Sequence, residues 1–249
     1  MPFTVSHPAI ILPAKYLPDK WVSMTGLIIG SITPDFEYFM RMKVESVYSH
    51  TWAGMFWFDL PLALLLTFVY HYIVRDSFIC NSPRFIKRRL SPYLDFKWWN
   101  YFKHHFFIVI ICLLVGISSH IFWDSFTHPH GDFVKLIPFL REVSNINGLH
   151  LPNYRIMQAI STLVGGTIVC FSFMCIPRAK EYAKSRNPVY YWFIVFGTGL
   201  AAANIRMITG IPNLPFVAVA TVATSALAGF IAGAIIAPLF LEKRIVKVQ

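Results

Sequence analysis

Apolar and polar positions along the chain fall into long apolar stretches separated by polar, mostly basic connections. Five stretches, 55–74, 106–124, 156–176, 189–206 and 214–241, approach or exceed the roughly 20 residues a helix needs to cross a bilayer. They predict five membrane-spanning helices. A shorter run, WVSMTGLIIGSI, lies between Asp19 and Pro34. It is too short to span comfortably and predicts a half-buried helix near 20–32, packed against the bundle. The expected fold is all-α: a polytopic membrane helix bundle over 55–249, preceded by a segment 1–54, forming a single domain overall.

Composition agrees. Hydrophobic residues make up 56% of the 249 and charged residues 14%, against about 25% charged in soluble domains. The net charge of +10 does not point to nucleic acid, because the basic residues are dispersed around the apolar spans. It follows the excess of Lys and Arg on cytoplasmic loops. The connections 75–105 and 177–188 and the tail after 241 hold 14 Lys and Arg, Arg186, Lys243, Arg244 and Lys247 among them. The N-terminal segment and the loops 125–155 and 207–213 hold seven. The first set is therefore expected in the cytoplasm together with the C-terminus, and residues 1–54 and 125–155 on the opposite side. The opening MPFTVSHPAIILP lacks a basic n-region and a small-residue cleavage site, so the first segment is expected to be retained. Cys80, Cys112, Cys170 and Cys175 form no CxxC pair and read as small packing residues.

One apolar run ends unusually, in HIFWDSFTHPH at 120–130. His120 and Asp124 are four apart, which on a helix puts them on one face. Ionisable groups at this depth are expensive unless paired, and in membranes they mark function. Pro129 disfavours helix at His128, so the helix is expected to end near Phe126 and His130 to fold back over its end. Nitrogen and carboxylate ligands of this kind suit zinc or another first-row divalent metal. Further ligands are available in the segment expected on the same side: His7, Asp35 after Pro34, and His50 before the first span. Asp59 can orient a ligand histidine, and His128 stands beside the group. Arg41 and Arg206 can hold a phosphate. His71, His104 and His105 read as interfacial residues.

The stretches MPFTVSHPAI, GSITPDFEYF, YSHTWAG and SHIFWDSFTH resemble the zinc-dependent phospholipase C superfamily. They are closer still to its bacterial membrane-embedded relatives, described as inner-membrane metal-dependent hydrolases or as membrane proteins of unknown function. The likeness covers roughly residues 1–130. It implies a phospholipase C-like helical core. By this resemblance Asp35, His50, His120 and Asp124 are ligands of one metal, and His7 and His130 belong to neighbouring metal positions. The soluble enzymes add a downstream HxxxE pair. Here His150 is followed by Leu151, Pro152, Asn153 and Tyr154, so one or two ions are expected.

The expected function is a membrane-bound, metal-dependent hydrolase of a lipid or phosphoester at the outer interface of the bacterial inner membrane. A divalent ion acidifies bound water and polarises the scissile group, so no serine or cysteine nucleophile is required, and no GxSxG is present. Asp35 is the candidate ligand and proton acceptor. The alternatives are an ion or proton transporter, and a non-catalytic metal-binding membrane protein.

Overall fold

The computed structural model describes residues 4–146, 148–184, 187–212 and 215–240, without the side chains of Pro215 and Phe216. Arg186, Lys243, Arg244, Lys247 and the ends of the fifth predicted span, Leu214 and Leu241, lie outside the described residues.

The chain is largely helical. Five helices are long and apolar enough to cross a membrane: Met55–Asn81, Phe106–Asp124, Asn153–Met174, Pro188–Ile208 and Val217–Phe240. It is an integral membrane protein of the polytopic helical class. The first of these helices runs seven residues beyond its expected end. It joins α3 (Leu60–Val69) and α4 (Arg75–Asn81) through a π turn, Tyr70–Val74, and begins with another, Met55–Asp59. Pro61 lacks an N–H and cannot complete the regular ladder there. The short N-terminal helix is present as α1 (Met24–Ile32), followed by α2 (Phe36–Arg41).

The helices group into two compact units, each drawn from separate stretches of the chain. The first comprises residues 1–35, 48–64 and 104–175. Within it α1 lies directly against α7 (Phe106–Asp124). Ser23 caps α1, its hydroxyl accepting the Gly26 N–H at 3.2 Å. Glycines then let the two backbones touch. A Cβ at Gly30 would strike the Leu113 carbonyl oxygen, and one at Gly116 the Leu27 carbonyl oxygen. Leu27, Ile11 and Cys112 form the adjoining core, and Cys112 Sγ accepts the Ser23 N–H. The opening turn Thr4–Ile10 packs on α10 (Asn153–Met174), where Gly165 leaves room for Ser6. Between α7 and α10 lie α8 (Asp132–Leu136), α9 (Pro138–Arg141) and a hairpin of β1 (Val143–Ile146) and β2 (Leu149–Pro152). The hairpin, paired antiparallel with Ile146 opposite Leu149, was not expected. Asn145 Oδ1 accepts the Gly148 N–H across its tip, and Gly148 has φ +86°, a conformation that favours glycine.

The second unit comprises residues 36–47, 65–103 and 176–249. Its α11 (Pro188–Ile208) and α12 (Pro215–Phe240) meet through small residues, Gly199, Ala202, Gly229 and Gly233, as membrane helices commonly do. The connection expected as a loop folds into α5 (Arg84–Leu90) and α6 (Trp98–His104). His71, expected at the interface, is buried. It stacks on Trp98 with centroids 4.5 Å apart, and Arg75 reaches from beside it to the carbonyls of Leu94 and Phe96.

Candidate metal centre

The four side chains of the site, all in the first unit, are brought in by three local devices. Pro34 lies in a single 3-10 turn, Thr33–Asp35, which ends α1 and leaves Asp35 fully buried. His50 has φ +59°, a left-handed conformation uncommon outside glycine. Flanking bonds hold it: Ser49 Oγ lies 2.9 Å from His50 Nδ1, and Thr51 Oγ1 accepts the Gly54 N–H. His120 and Asp124 project from one face of α7.

These four residues converge. His120 Nε2 lies 3.6 Å from Asp35 Oδ1, 3.3 Å from Asp124 Oδ2 and 3.2 Å from His50 Nε2. His50 Nε2 lies 3.5 Å from Asp35 Oδ1 and 3.3 Å from Asp124 Oδ2. All four ligand atoms fall within 4.8 Å of one another. The carboxylate–imidazole separations exceed the roughly 2.7–2.9 Å of a charge-assisted hydrogen bond. They match instead the edge of a tetrahedron. Ligands about 2.0–2.2 Å from a central zinc stand about 3.3–3.6 Å from each other. The carboxylate oxygens of Asp35 and Asp124 are buried and have no hydrogen-bond partner among the described residues. Two buried carboxylates this close strongly favour a cation between them. The residues therefore fit a divalent first-row ion.

Two more histidines flank Asp124. His7 stacks on His120 with centroids 3.7 Å apart, and its Nε2 lies 3.5 Å from Asp124 Oδ1. His128 Nδ1 lies 3.5 Å from Asp124 Oδ2 and 3.1 Å from the Asp124 carbonyl oxygen. Its Nε2 is buried without a hydrogen-bond partner among the described residues. Asp35, His7 and His120 are sealed, whereas the His50 and His128 side chains keep 15% and 23% exposure, so the site opens on their side.

Burial, helped by the neighbouring His120, pushes His7 down to about 3 and keeps its ring neutral. Burial works against charge on Asp35, but His120 and then His50 outweigh it and hold the carboxyl below the ordinary range. Burial likewise opposes protonation of His50, and its contacts with Asp124 and Asp35 outweigh it, raising His50 above 6.5. For His128 burial prevails and lowers it.

His130, expected at a neighbouring metal position, is exposed on the turn after α7, and it is His128 that lies beside Asp124. Pro129 constrains His128, yet the His128 N–H still bonds the Asp124 carbonyl at 3.0 Å. The helical spacing 120–124–128 thus runs one step past the end of α7. Asp59 is fully buried in the π turn after His50. Arg41, expected to hold a phosphate, belongs to the second unit and pairs with Glu37 at 2.8 Å. Arg206 lies on α11 in the second unit, its Nε buried without a hydrogen-bond partner among the described residues. Sequence reasoning passed over Glu37, whose buried carboxylate accepts from Arg41, Ser46 and the Val47 N–H. It also passed over the Ser31 carbonyl, 2.7 Å from His120 Nδ1.

No curated protein and no solved structure matches the chain, so these comparisons bring neither a hydrolase nor a phospholipase C to it. A family described as a domain of unknown function, DUF4184, matches residues 1–241, nearly the whole length, and the chain belongs to that family.

Proposed function

We propose that Asp35, His50, His120 and Asp124 hold one divalent metal ion, zinc by the character of the ligand set, and that the protein is a membrane-bound metal-dependent hydrolase of a lipid or phosphoester. The metal half of this reading rests on the five tetrahedral-edge distances of 3.2–3.6 Å. The hydrolytic half draws on the opening beside His50 and His128, and on the likeness of the motifs to metal-dependent hydrolases. A second ion beside His7 is compatible with the set but has no matching distances behind it. By its loop charges we place the site on the non-cytoplasmic side of a bacterial inner membrane, with the C-terminus in the cytoplasm.

A divalent ion here supplies Lewis acidity and lowers the pKa of water from about 15.7 toward 7. The chain's own groups do the rest. The Asp35 carboxylate, kept ionised by its imidazole neighbours, supplies an anionic ligand to the ion. His128, at the edge of the site, keeps a neutral ring whose buried Nε2 has no partner among the described residues and can accept a proton. His7, held neutral under His120, excludes water from the sealed side.

A second reading is a structural metal tying residues 1–54 to α7. It is favoured by one observation: the four protein ligands, five of whose six separations are tetrahedral edges, number the same as in closed zinc sites. A transporter is less well supported. A relay along α7 needs free polar groups toward its other end. Ser118 donates to Met55 Sδ, Ser119 to the Gly116 carbonyl, and Cys112 accepts from Ser23.

Zinc-loaded protein assayed against a panel of phosphoesters and lipids separates these readings. The hydrolase reading expects turnover that is lost in Asp35→Asn and restored by metal in chelated wild type. Metal binding without turnover across the panel favours the structural reading, and metal-independent proton flux in vesicles favours the transporter.

A further inference from the structure

The 28 residues from Ser125 to Pro152 leave α7 one residue after Asp124 and enter α10 at Asn153, so both ends are tied to the end of a membrane-spanning helix. Their inner side is fixed. Val134 and Leu140 are buried, the Val134 N–H bonds the Ser125 carbonyl, and Asn153 bonds the Phe139 carbonyl and accepts from Ser144. Their outer side carries Leu136, Phe139, Ile146 and Leu149, which are 72, 61, 44 and 64% exposed, Ile146 and Leu149 being paired on one face of the hairpin. A rigid aqueous loop rarely shows so many large apolar side chains together, and such patches mark protein or membrane contacts.

What covers them follows from what they adjoin. The exposed Phe122 on α7 meets Phe126 and Phe133, and those two rings stack at 4.1 Å, so the lipid-facing side of α7 runs on into the loop. At the other end the exposed Met157 and Ile160 of α10 continue it. Arg141 is exposed among the apolar groups, where it suits a phosphate headgroup, while Lys135 pairs with Asp132 at 3.5 Å and Glu142 is also exposed.

We propose that residues 132–146 and 148–152 are seated in the bilayer surface, with Leu136, Phe139, Ile146 and Leu149 among the acyl chains of the leaflet at which α7 ends. The seating stands on these residues alone. One consequence rests on the hydrolytic reading: a centre beside a lipid-seated loop takes a membrane lipid, rather than a soluble phosphoester, as substrate.

The test places a benzophenone amino acid at Phe139, Leu149 or His150 of the full chain, in vesicles of phosphatidylethanolamine and phosphatidylglycerol, and reads photo-adducts by mass. All three positions are exposed, and the paired strands point Leu149 and His150 to opposite faces. Lipid adducts are expected at 139 and 149, severalfold above those at 150. Equal yields at the three positions, or crosslinks joining two copies of the chain at 139 and 149, would overturn the seating. Metal content of the same preparations reports separately on the centre. Adducts together with turnover of a soluble phosphoester but no lipid would sink the substrate assignment alone.

Discussion

His120 Nδ1 lies 2.7 Å from the backbone carbonyl oxygen of Ser31, a residue 89 positions earlier in the chain. A ring nitrogen at that distance donates its proton to the carbonyl, which leaves Nε2 bare and turned toward Asp35, His50 and Asp124. The contact exists because α1 and α7 touch at Gly30 and Gly116, where any Cβ would meet backbone. Gly116→Ala should therefore weaken metal binding by about 10–100-fold, the usual effect of losing a partner behind a ligand, although it alters no ligand. Gly166, whose Cβ would meet nothing within 4 Å, is the control. Equal zinc affinities for Gly116→Ala and Gly166→Ala, by competitive chelator titration, would separate His120 from this support.

His7 should give the chain an acid-sensitive stability. Burial lowers it from 6.5 to about 3, so the folded chain keeps neutral a ring that the unfolded chain protonates. Stability from this source is complete above pH 6.5 and drains away as pH falls toward 3. Thermal unfolding of chelator-treated wild type should worsen between pH 6.5 and 4, and His7→Asn should flatten that slope. An unchanged slope in the variant would mean that His7 is not held neutral.

Asp35 and Glu37 are two residues apart, both buried acids, yet they belong to different tasks. Glu37→Gln weakens the bonds from Arg41, Ser46 and the Val47 N–H, which at about 1–3 kcal/mol for a disrupted buried group lowers stability. Metal content should stay at the wild-type level. Metal loss in a Glu37→Gln protein that melts normally would tie Glu37 to the centre.

Topology is checked with single cysteines and an impermeant thiol reagent in oriented membranes. A cysteine at Lys15 should label from the non-cytoplasmic side, and one at Lys184 from the cytoplasmic side only. The reverse pattern would invert the orientation drawn from loop charge.

The spans were legible because long apolar runs have few structures open to them in lipid. Their ends were not: Arg75 and Asp76 look like a loop, but Arg75 finds buried carbonyl partners and the helix continues to Asn81. The hairpin at 143–152 was missed because its pattern is not a clean alternation. Ile146 and Leu149 are apolar at the tip, where a soluble hairpin would carry polar residues. Among site residues, the 120–124 spacing was readable from helical periodicity. The place of His128 beside Asp124 was not, since the constraint from Pro129 argued for an earlier break than the His128 N–H actually makes. That Asp35 and His50 meet His120 depends on a glycine-mediated helix contact and a left-handed His50, neither of which a local pattern carries.

The most direct measurement is the metal content of the purified full chain, by elemental analysis after growth with zinc and exhaustive dialysis. One tightly held divalent ion per chain is predicted for wild type, and none for the His120→Ala, Asp124→Ala double variant. Metal retained undiminished by the double variant, or a folded wild-type chain that takes up no divalent ion, would contradict a centre built on Asp35, His50, His120 and Asp124.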